Sequence, residues 1–502
     1  MRALAATVQD DSFYYLLPAF RFRDHGFWTF DGEHATYGFN WLFEALLTGL
    51  AWFFVDRFDF FRAALFLAHG LFVAAALALA WLIRRVARPC GMPRAALFGW
   101  IAGGLFLLDT PLLLSHTTLK ENGFYVLLLA LALHAAIVAR EARGARWLAL
   151  AGALLGLSVF ARITTATVVI AAATMLWILR GGTWRKCTAL LGGLLLVALP
   201  WVWFTWWTFG RLLPTPGSLK TEWLGHAWRD GTLLGHLRDS AALVPGYLGD
   251  VLCYATGHRH GLHVPQWWSD GPVGGGVLAW CKAFLVVVAA WSACCRRSLL
   301  RAATAGRLIV VVTLVSLLAT ATNPLLLDAG VNRSLLDYAL WYVAAEPILV
   351  AGLGALALAW LPAGSGEHGT IGRWPVIAVA LAILVLGARN AIHLRAIPTF
   401  EPWPSIQLHQ TIAASELADR LLPAGARVAS WNAGVLGFFS KHTVVNMDGL
   451  ANDDVVAARS AGLSAIDYVR RERIDHMVDV LPRGGWFGGN PFDHLELLGV
   501  VP

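Results

Sequence analysis

Residues 9–43 read QDDSFYYLLPAFRFRDHGFWTFDGEHATYGFNWLF, and this stretch is rich in ionisable side chains although the chain is otherwise mostly apolar. Its carboxylates, with the one that follows directly, are Asp10, Asp11, Asp24, Asp31, Glu33 and Glu44. The basic side chains among them are Arg21, Arg23, His25 and His34. Ionisable groups next to a lipid bilayer are costly and are commonly functional. We therefore expect a functional site in this stretch.

The composition is that of an integral membrane protein. The chain has 502 residues, of which 57% are hydrophobic and 14% are charged, with a mean hydropathy of +0.60. Soluble domains have about 25% charged residues. The net charge is +7, but Arg and Lys are concentrated in short segments between apolar runs. This distribution indicates membrane topology and not a nucleic-acid surface.

About ten segments are apolar and long enough to be predicted as membrane spans, since a spanning helix needs about 20 residues. They are 60–83, 95–114, 123–139, 147–161, 163–179, 187–207, 274–295, 308–326, 337–360 and 374–392. When the spans alternate, four short basic loops share one side, namely 84–94, 140–146, 180–186 and 296–307. Such loops mark the cytoplasmic side of a membrane.

The opposite, outer side then holds the polar segments. They are the opening stretch, the loop 115–122, the turn at Arg162, the long loop 208–273, the turn 327–336 and everything after 393. Residues 40–55 are apolar but short and contain Glu44, which predicts a helix lying in the outer interface. The predicted regions are a first outer loop (1–59), a transmembrane domain (60–392) and a soluble outer domain (393–502).

The last region follows a Pro-rich linker and alternates between two kinds of pattern. Helical spacing occurs in 410–422 and 464–473, and strand patterns occur in 426–431, 443–447 and 474–481. Alternation of this kind predicts a small α/β domain. The predicted fold is therefore an α-helical polytopic membrane protein of about ten spans with a small α/β domain on the outer side.

Cysteine and histidine spacing gives little evidence of a metal site. The six cysteines show neither metal-ligand spacing nor a disulfide framework. The segment HRHGLH places His258, His260 and His263 close together in the long outer loop. These histidines either bind a metal ion or belong to a polar loop, and no fourth ligand is evident.

Several phrases, in order along the chain, resemble bacterial glycosyltransferases of the C superfamily (GT-C). The opening DDSFYYL and GFWTFDGEHATYGFNWLF are similar to that family's first outer loop, which has an Asp-Asp pair. Further similar phrases are HTTLKENGFYV, LSVFARITT, GRLLPTPGSLK and ARVASWNAGVLGFFSKHTVVNMDGL. The last of these is compared with a family segment that has a Gly-x-x-Gly-Tyr turn and an Asp-Gly-Leu ending. The group includes protein mannosyltransferases, aminoarabinose transferases and arabinofuranosyltransferases, which use polyprenyl-phosphate sugars.

The sequence also departs from the family pattern. Family members begin with a spanning helix before the Asp-Asp pair, whereas here only residues 1–9 precede that pair. A helix upstream of Met1 would bring the expected count to eleven spans. Ile163 stands where the family has a proline, and Lys120-Glu121 replaces Met-Glu. These changes leave the acceptor open.

The resemblance implies that an aspartate of the first outer loop is the catalytic base. Asp10 is the first candidate and Asp11 the second. A carboxylate that takes the proton of an attacking hydroxyl contributes about 10²–10⁴-fold to the rate. The alternative is that the pair caps the predicted helix SFYYLLPAF, because Asp is a favoured N-cap residue.

A leaving phosphate needs fixed positive charge. The resemblance implies that Lys120, Arg162 and Lys220 lie near the donor phosphate. Glu121 is expected either to orient Arg162 or Lys120 or to hold a divalent cation with Asp10. Arg333 and Tyr342, where a span enters the membrane, either contact the lipid carrier or anchor the helix. Each cation has the alternative of an interfacial residue whose charged end reaches the headgroups. Asp448 resembles a family position, with a strand-ending Asp-Gly turn as the alternative. No cofactor is certain, and a divalent cation, Mg²⁺ or Mn²⁺, is left open.

The predicted function is an inverting glycosyltransferase of the bacterial inner membrane with its active site on the periplasmic side. Its partners would be a polyprenyl-phosphate-linked sugar, an acceptor that is a glycan, lipid or protein, and the bilayer, but no nucleic acid. The alternatives are a transporter or flippase of lipid-linked sugars and a non-catalytic membrane scaffold. A transporter should place ionisable groups deep inside several spans, whereas here they concentrate on one side.

Overall fold

Helices dominate the computed structural model of the chain. It describes residues 8, 10–87, 99–100, 103–104, 106–107, 119–142, 144–163, 165–179, 183–216, 228–235, 238 and 403–479. Four of the predicted spans, those between 274 and 392, lie outside these residues, and so does most of the span 95–114. The number of spans therefore stays a prediction.

The chain divides into two units. The first comprises Met1–Leu67, Thr205–Glu222 and Glu401–Pro502, and the second comprises Ala68–Phe204 and Trp223–Phe400. The first unit thus combines the opening stretch with the C-terminal region. The predicted region boundaries after residues 59 and 392 stay predictions.

Seven helices are assigned in the described residues before position 210. They are α1 (Asp10–His25), α2 (Trp41–Ala51), α3 (Arg57–Ala87), α4 (Asn122–Ala142), α5 (Ala145–Ala161), α6 (Thr165–Leu179) and α7 (Trp184–Phe209). The predicted spans 60–83, 123–139, 147–161 and 187–207 are confirmed as helical, and so are residues 165–179 of the span 163–179. The short helix predicted within 40–55 is confirmed as α2.

Three of these helices are long and apolar enough to cross a membrane. By length and composition they are Arg57–Arg85, Asn122–Glu141 and Trp184–Phe209. Helices α2 and α5 are apolar but shorter than the usual spanning length. The tryptophans near the end of α7 are exposed, with 68% for Trp203 and 80% for Trp207. Exposed indoles at the end of an apolar helix suit an interfacial belt.

In the second unit, helices α4, α5 and α6 pack against one another. Glycines bring α5 and α7 close together, because a Cβ on Gly152 would collide with the Leu190 carbonyl and one on Gly193 with the Ala149 carbonyl. Small residues of this kind let apolar helices approach at backbone distance. The stacked rings of Phe160 and Trp201, with centroids 4.5 Å apart, fill the space beside them.

In the first unit, α1 packs against α2 through aromatic side chains. The ring centroids of Tyr15 and Phe43 lie 5.5 Å apart. The indole Nε1 of Trp28 donates a hydrogen bond to Thr48 Oγ1 at 2.8 Å. Both contacts are buried, so the two apolar helices of the opening stretch form one layer.

The C-terminal region is a small α/β fold. Its elements are α8 (Trp403–Leu421), β1 (Arg427–Ser430), α9 (Ala433–Phe439), β2 (Thr443–Asn446), α10 (Asp453–Ser460), α11 (Ala465–Arg471) and β3 (His476–Met477). The strands form a parallel sheet in the order β2-β1-β3. The predicted strands at 426–431 and 443–447 and the helices at 410–422 and 464–473 are confirmed, and the predicted strand 474–481 pairs only at His476–Met477.

Two helices of this region were not predicted. Helix α10 follows β2, and α9 connects β1 with β2. The segment containing Gly434 and Gly437 was compared with a turn in the family, but here it is helical. Both glycines pack closely, Gly434 against the backbone of Asp10 and Gly437 against the ring of Phe30. Their helical state therefore depends on contacts with a segment more than 400 positions away in sequence.

The sheet is covered by two different apolar groups. One is a buried core formed with α10 and α11, made of Ala429, Val445, Met447, Val455, Ala458, Ala465, Tyr468 and Ile474. The other is aromatic and joins the opening stretch to α9. In it the ring of Phe13 lies 5.1 Å from that of Phe438 and 5.7 Å from that of Phe61, centroid to centroid. Helix α1 is thereby packed directly onto the α/β region.

A glycine contact between these two segments gives the first prediction. A Cβ on Gly38 would collide with the carbonyl of Leu450, and overpacking of this kind costs about 1–3 kcal/mol. We expect Gly38→Ala to lower the unfolding temperature, followed by tryptophan fluorescence in detergent. The matched control is Gly49→Ala on α2, where nothing lies within 4 Å of the added Cβ. That change should stabilise the helix by about 0.5–1 kcal/mol. Equal effects of the two changes would contradict this contact.

Candidate active site

The carboxyl ends of the three parallel strands lie together and carry polar residues. Trp431 and Asn432 follow β1, Asp448 follows β2, and Asp479 follows β3. The Val478 N–H donates to the Ala429 carbonyl at 3.0 Å, which continues the pairing beyond β3. In open α/β sheets, ligands bind outside the carboxyl ends of the strands, where the strand order reverses. In this sheet β2 and β3 lie on opposite sides of β1, so the order reverses there.

Tyr14 fixes helix α1 at these strand ends. Its hydroxyl oxygen accepts hydrogen bonds from the Ala433 N–H and the Asn446 Nδ2, both at 3.1 Å. The same hydroxyl donates to the Trp431 carbonyl at 3.3 Å. Tyr14 is only 4% exposed. Because buried polar groups are costly without partners, these bonds strongly favour one position for the first turns of α1.

Asp10 lies in the first turn of α1 and contacts the beginning of α9. The Val435 N–H donates to Asp10 Oδ1 at 2.7 Å. Gly434 packs so closely on the Asp10 backbone that a Cβ would collide with the Asp10 carbonyl oxygen. The Asp10 carboxylate thus caps α9, a helix remote in sequence. This contact orients the carboxylate while the residue remains half-buried.

Asp448 is presented by a turn that directly follows β2. The Leu450 N–H donates to Asp448 Oδ1 at 2.7 Å, and Gly449 has a positive φ of 85°. The fully buried Asn446 accepts from the N–H groups of Gly449 and Ala451, both at 3.1 Å. The predicted Asp-Gly turn is confirmed. The charges of Asp11 and Asp10 on α1 act on the Asp448 carboxylate and raise its pKa.

The carboxylates of Asp10, Asp11, Asp448 and Asp479 affect one another's protonation. Burial raises the pKa of Asp10 to about 7, and the charges of Asp11 and Asp479 also raise it. Hydrogen bonds from the backbone N–H groups of Val435 and Gly434 act in the opposite direction and lower this pKa. Burial likewise raises the pKa of Asp448 to about 7, with added repulsion from Asp11 and Asp10. Groups coupled in this way titrate as a set.

Asp479 holds two of the strand ends together. Its carboxylate accepts from the Trp431 N–H at 2.6 Å and from Asn432 Nδ2 at 3.3 Å. These bonds join the loop after β1 to the end of β3. Asp479 is therefore a positioning residue for Trp431, whose carbonyl in turn accepts from Tyr14.

Chemically, the cluster provides a carboxylate suited to general-base catalysis. Such a base is most effective when its pKa lies near the working pH. A pKa of about 7 at Asp10 meets this condition, whereas an ordinary aspartate, at 3.8, is a weaker base. We call the group Asp10, Asp11, Tyr14 and Asp448 the aspartate cluster.

Three of the predicted phosphate contacts lie in the second unit. Lys120, Glu121 and Arg162 are all buried, with exposures of 5%, 6% and 4%. The Arg162 guanidinium donates to Asn122 Oδ1 and lies 3.7 Å from Glu121 Oε1. Arg162 is therefore enclosed by protein and is not reaching for an interface. Glu121 is thus paired with Arg162 in the described structure, and phosphate binding by these residues stays a prediction.

The described structure brings together part of the predicted site. Asp10 and Asp11 lie in the same unit as Asp448, whose sequence agrees both with a family position and with an Asp-Gly turn at the end of a strand. Lys220, Arg333, Tyr342 and the histidines of 258–263 lie outside the described residues. Tyr14, Asn446 and Asp479 were missed. A signal existed for Asp479, because a carboxylate that follows a parallel strand lies at the sheet edge where ligands bind.

A second polar group of the first unit could hold a metal ion. His34, Asp454 and Glu472 place one potential ligand atom each within 4.8 Å of one another. A hydrogen bond from His34 to Asp31 raises the pKa of His34, whereas partial burial lowers it. None of these residues belongs to the aspartate cluster.

Comparisons with known proteins give limited matches. A family profile described as "Domain of unknown function (DUF8728)" matches residues 403–493. No curated protein matches this chain. Among solved structures, the archaeal oligosaccharyltransferase AglB from Archaeoglobus fulgidus, in complex with an inhibitory peptide and a dolichol-phosphate, is similar at 15% identity with a TM-score of 0.47. The similarity covers 88% of this chain and 60% of that one, so this chain spans less than two thirds of its length.

The burial of Asp10 gives a prediction for stability. The folded protein holds the Asp10 proton up to about pH 7, whereas the unfolded chain releases it near 3.8. The contribution of this residue to stability is therefore full below pH 3.8 and is lost as the pH rises toward 7. We expect Asp10→Asn, which keeps the acceptor for Val435, to unfold at a higher temperature than wild type at about pH 8. The difference should vanish at about pH 4.

The matched control for this measurement is Asp24→Asn, on the exposed part of α1. A hydrogen bond from Arg23 lowers the pKa of Asp24, so its loss should slightly lower the unfolding temperature at about pH 8. An Asp10→Asn protein whose unfolding temperature follows that of wild type at every pH would contradict the burial of this charge.

Proposed function

We propose that this protein is a membrane glycosyltransferase that transfers one sugar from a polyprenyl-phosphate donor to a hydroxyl-bearing acceptor. The observation that carries the proposal is the Asp10 carboxylate. It is half-buried at the carboxyl ends of a parallel sheet, oriented by the Val435 N–H, and has a pKa of about 7. The order of phrases that resemble GT-C enzymes supports the same conclusion, because Asp10 and Asp11 match that family's Asp-Asp pair.

In the proposed reaction the acceptor hydroxyl attacks the anomeric carbon of the sugar. The bond from this carbon to the phosphate oxygen breaks as the new bond to the acceptor oxygen forms. The acceptor proton passes to the Asp10 carboxylate, and the bond electrons leave with the polyprenyl phosphate. Because one displacement occurs from the face opposite the leaving group, the configuration at the anomeric carbon inverts.

Asp11 and Asp448 have electrostatic roles in this proposal. Both are half-buried next to Asp10 and repel its negative charge, so they favour the step in which Asp10 gains a proton. The favourable effect is greatest where water is partly excluded, since charges interact more strongly at low dielectric. Asp11 is the second candidate for the base.

The leaving phosphate requires positive charge, and the resemblance to GT-C enzymes assigns this role to Lys120, Arg162 and Lys220, with Arg333 as a further candidate. Glu121 orients Arg162, and Tyr342 contacts the substrate. A guanidinium is well suited to phosphate oxygens because it presents its donors in a planar fork. Divalent cations, Mg²⁺ and Mn²⁺, are to be tested as additions, since the proposed proton transfer does not require one.

We propose the bacterial inner membrane as the location and its periplasmic face as the site of transfer. The basic loops that mark the cytoplasmic side and the concentration of carboxylates on the other side support this orientation. An envelope glycan, a lipid or a protein would be the acceptor.

The first test is sugar transfer by the purified full chain. It would be incubated in detergent with radiolabelled polyprenyl-phosphate sugars and an envelope extract. We expect Asp10→Asn to lower the transfer rate by about 10²–10⁴-fold, and Asp24→Asn, on the same helix but exposed, to leave it nearly unchanged. Asp11→Asn tests the second candidate. Transfer at the wild-type rate in both Asp10→Asn and Asp11→Asn would refute the mechanism.

The second test is the pH dependence of the same reaction. A base must be deprotonated, so kcat/KM should rise with pH and level off above about pH 7. Because the charge of Asp479 raises the pKa of Asp10, Asp479→Asn should move the midpoint of this rise to a lower pH. The Asp24→Asn protein should keep the wild-type midpoint. A midpoint near pH 4, typical of an ordinary carboxyl, would contradict the proposed base.

A further inference from the structure

Three side chains that the proposed function does not use converge in the first unit. They are His34 from the opening stretch, Asp454 in the first turn of α10 and Glu472 directly after α11. One imidazole nitrogen and one oxygen of each carboxylate lie within 4.8 Å of one another. All three residues are half-buried, so the group is neither at the outer surface nor closed to solvent. We call it the His34 triad.

The imidazole of His34 is held in a defined orientation. Its Nδ1 lies 2.7 Å from Asp31 Oδ2. Asp31 is only 5% exposed, and its Oδ1 accepts from the N–H groups of Glu33 at 2.9 Å and His34 at 2.8 Å. Asp31 is therefore an ionised acceptor, and the proton of a neutral His34 is on Nδ1. The lone pair of Nε2 then faces Glu472 Oε2, which is 3.9 Å away.

A histidine whose other nitrogen donates to a carboxylate is the usual arrangement for a metal ligand. The second carboxylate fixes the ring orientation and makes the ligating nitrogen more basic. A histidine in a simple surface ion pair does not need this buried support. Asp31 thus has the position and hydrogen bonds of such a supporting group.

The local charge also favours a cation. Four carboxylates, those of Asp31, Glu33, Asp454 and Glu472, are connected by ion pairs to two guanidinium groups, those of Arg427 and Arg471. Arg471 pairs with Asp454 Oδ2 and Glu472 Oε1, and Arg427 lies closest to Glu33, at 2.6 Å. The charge of Arg21 also interacts with Asp31, so with a neutral His34 the four carboxylates and three guanidinium groups keep one uncompensated negative charge, which favours a cation.

We propose that His34 Nε2 and the carboxylates of Asp454 and Glu472 bind one divalent transition-metal ion of the zinc class. An imidazole nitrogen favours Zn²⁺ and its neighbours over Mg²⁺ and Ca²⁺, which prefer oxygen ligands. Three protein ligands, drawn from imidazole and carboxylate groups, leave a coordination position for water, as in zinc sites of the open type.

The ion would join the opening stretch to the α/β region, because His34 belongs to the first and the two carboxylates to the second. Its effect would be on the stability of the first unit. The proposal does not depend on the proposed glycosyl transfer, because none of the three ligands belongs to the aspartate cluster. A failure of either proposal would therefore leave the other standing.

The test measures zinc binding by the purified full chain, prepared without a histidine tag and stripped with a chelator. Equilibrium dialysis against Zn²⁺ would be followed by mass-spectrometric metal analysis. We expect wild type to bind one more equivalent than either His34→Gln or Glu472→Gln. Asp31→Asn, which removes the supporting charge, should weaken this binding about 10–100-fold. Zn²⁺ should also raise the unfolding temperature of wild type more than that of these variants.

The matched control is His25→Gln, which removes an exposed histidine of the same stretch and should bind zinc as wild type does. The chain has 16 histidines, so the difference between variants, and not the total, is the measured quantity. Equal zinc contents in wild type, His34→Gln and Glu472→Gln would overturn the proposal and leave only an ion-pair network. A preference for Mg²⁺ over Zn²⁺ would overturn it as well. If His34→Gln fails to fold, the Zn²⁺-dependent unfolding temperatures of wild type and Asp31→Asn decide the question.

Discussion

The buried hydroxyl of Tyr14 connects helix α1 to residues 431–446, which lie more than 400 positions away in sequence. It accepts from the Ala433 N–H and from Asn446, and it donates to the Trp431 carbonyl. Each partner lies at the carboxyl end of β1 or β2 or at the beginning of α9. Removing the hydroxyl would take away the acceptor of the buried Ala433 N–H, at a cost of about 1–3 kcal/mol, whereas Asn446 would keep its bond to the Trp431 carbonyl. The position of Asp10, one turn before Tyr14 on the same helix, depends on these bonds.

The aspartate cluster works against the stability that the surrounding contacts supply. Asp10 and Asp448 repel each other and Asp11, and partial burial disfavours their charged forms. The aromatic contacts of Phe13 with Phe438 and Phe61 lie beside the cluster and bury apolar surface there. Functional sites commonly combine a locally unfavourable arrangement with well-packed surroundings. The raised pKa of Asp10 and the tight packing around it are thus parts of one arrangement.

Local patterns in the sequence predict the elements better than they predict the contacts between them. Apolar runs predicted α3, α4, α5 and α7, and alternating residues predicted β1 and β2, because these signals come from neighbouring positions. Helix α9 was missed because its Gly434 and Gly437 are poor helix formers. They are tolerated there since one fits against Asp10 and the other against Phe30, which no local window of sequence can contain.

The candidate site divides in the same way. The adjacent pair Asp10-Asp11 was visible in the sequence, and the Asp-Gly turn at Asp448 was recognised as a turn. Their proximity was not derivable from spacing, since more than 400 residues separate them. Asp479 acts through a hydrogen bond to the remote backbone of Trp431, and Asn446 through one to the remote hydroxyl of Tyr14. Such roles become visible only when the parallel strand order places the ends of β1, β2 and β3 together.

The rim of the first unit shows a different balance of forces from its centre. The ion pair of Arg427 with Glu33 joins the opening stretch to β1, and that of Arg211 with Asp453 joins the residues after α7 to α10. Partly exposed pairs contribute only about 0–1 kcal/mol each. The buried hydrogen bonds and aromatic rings therefore determine how α1 meets the sheet, and the rim pairs adjust an arrangement already set. Carboxylates in excess at the rim repel one another, and this repulsion opposes the contact between the segments unless a cation offsets it. The charges around His34 therefore affect the stability of the whole first unit.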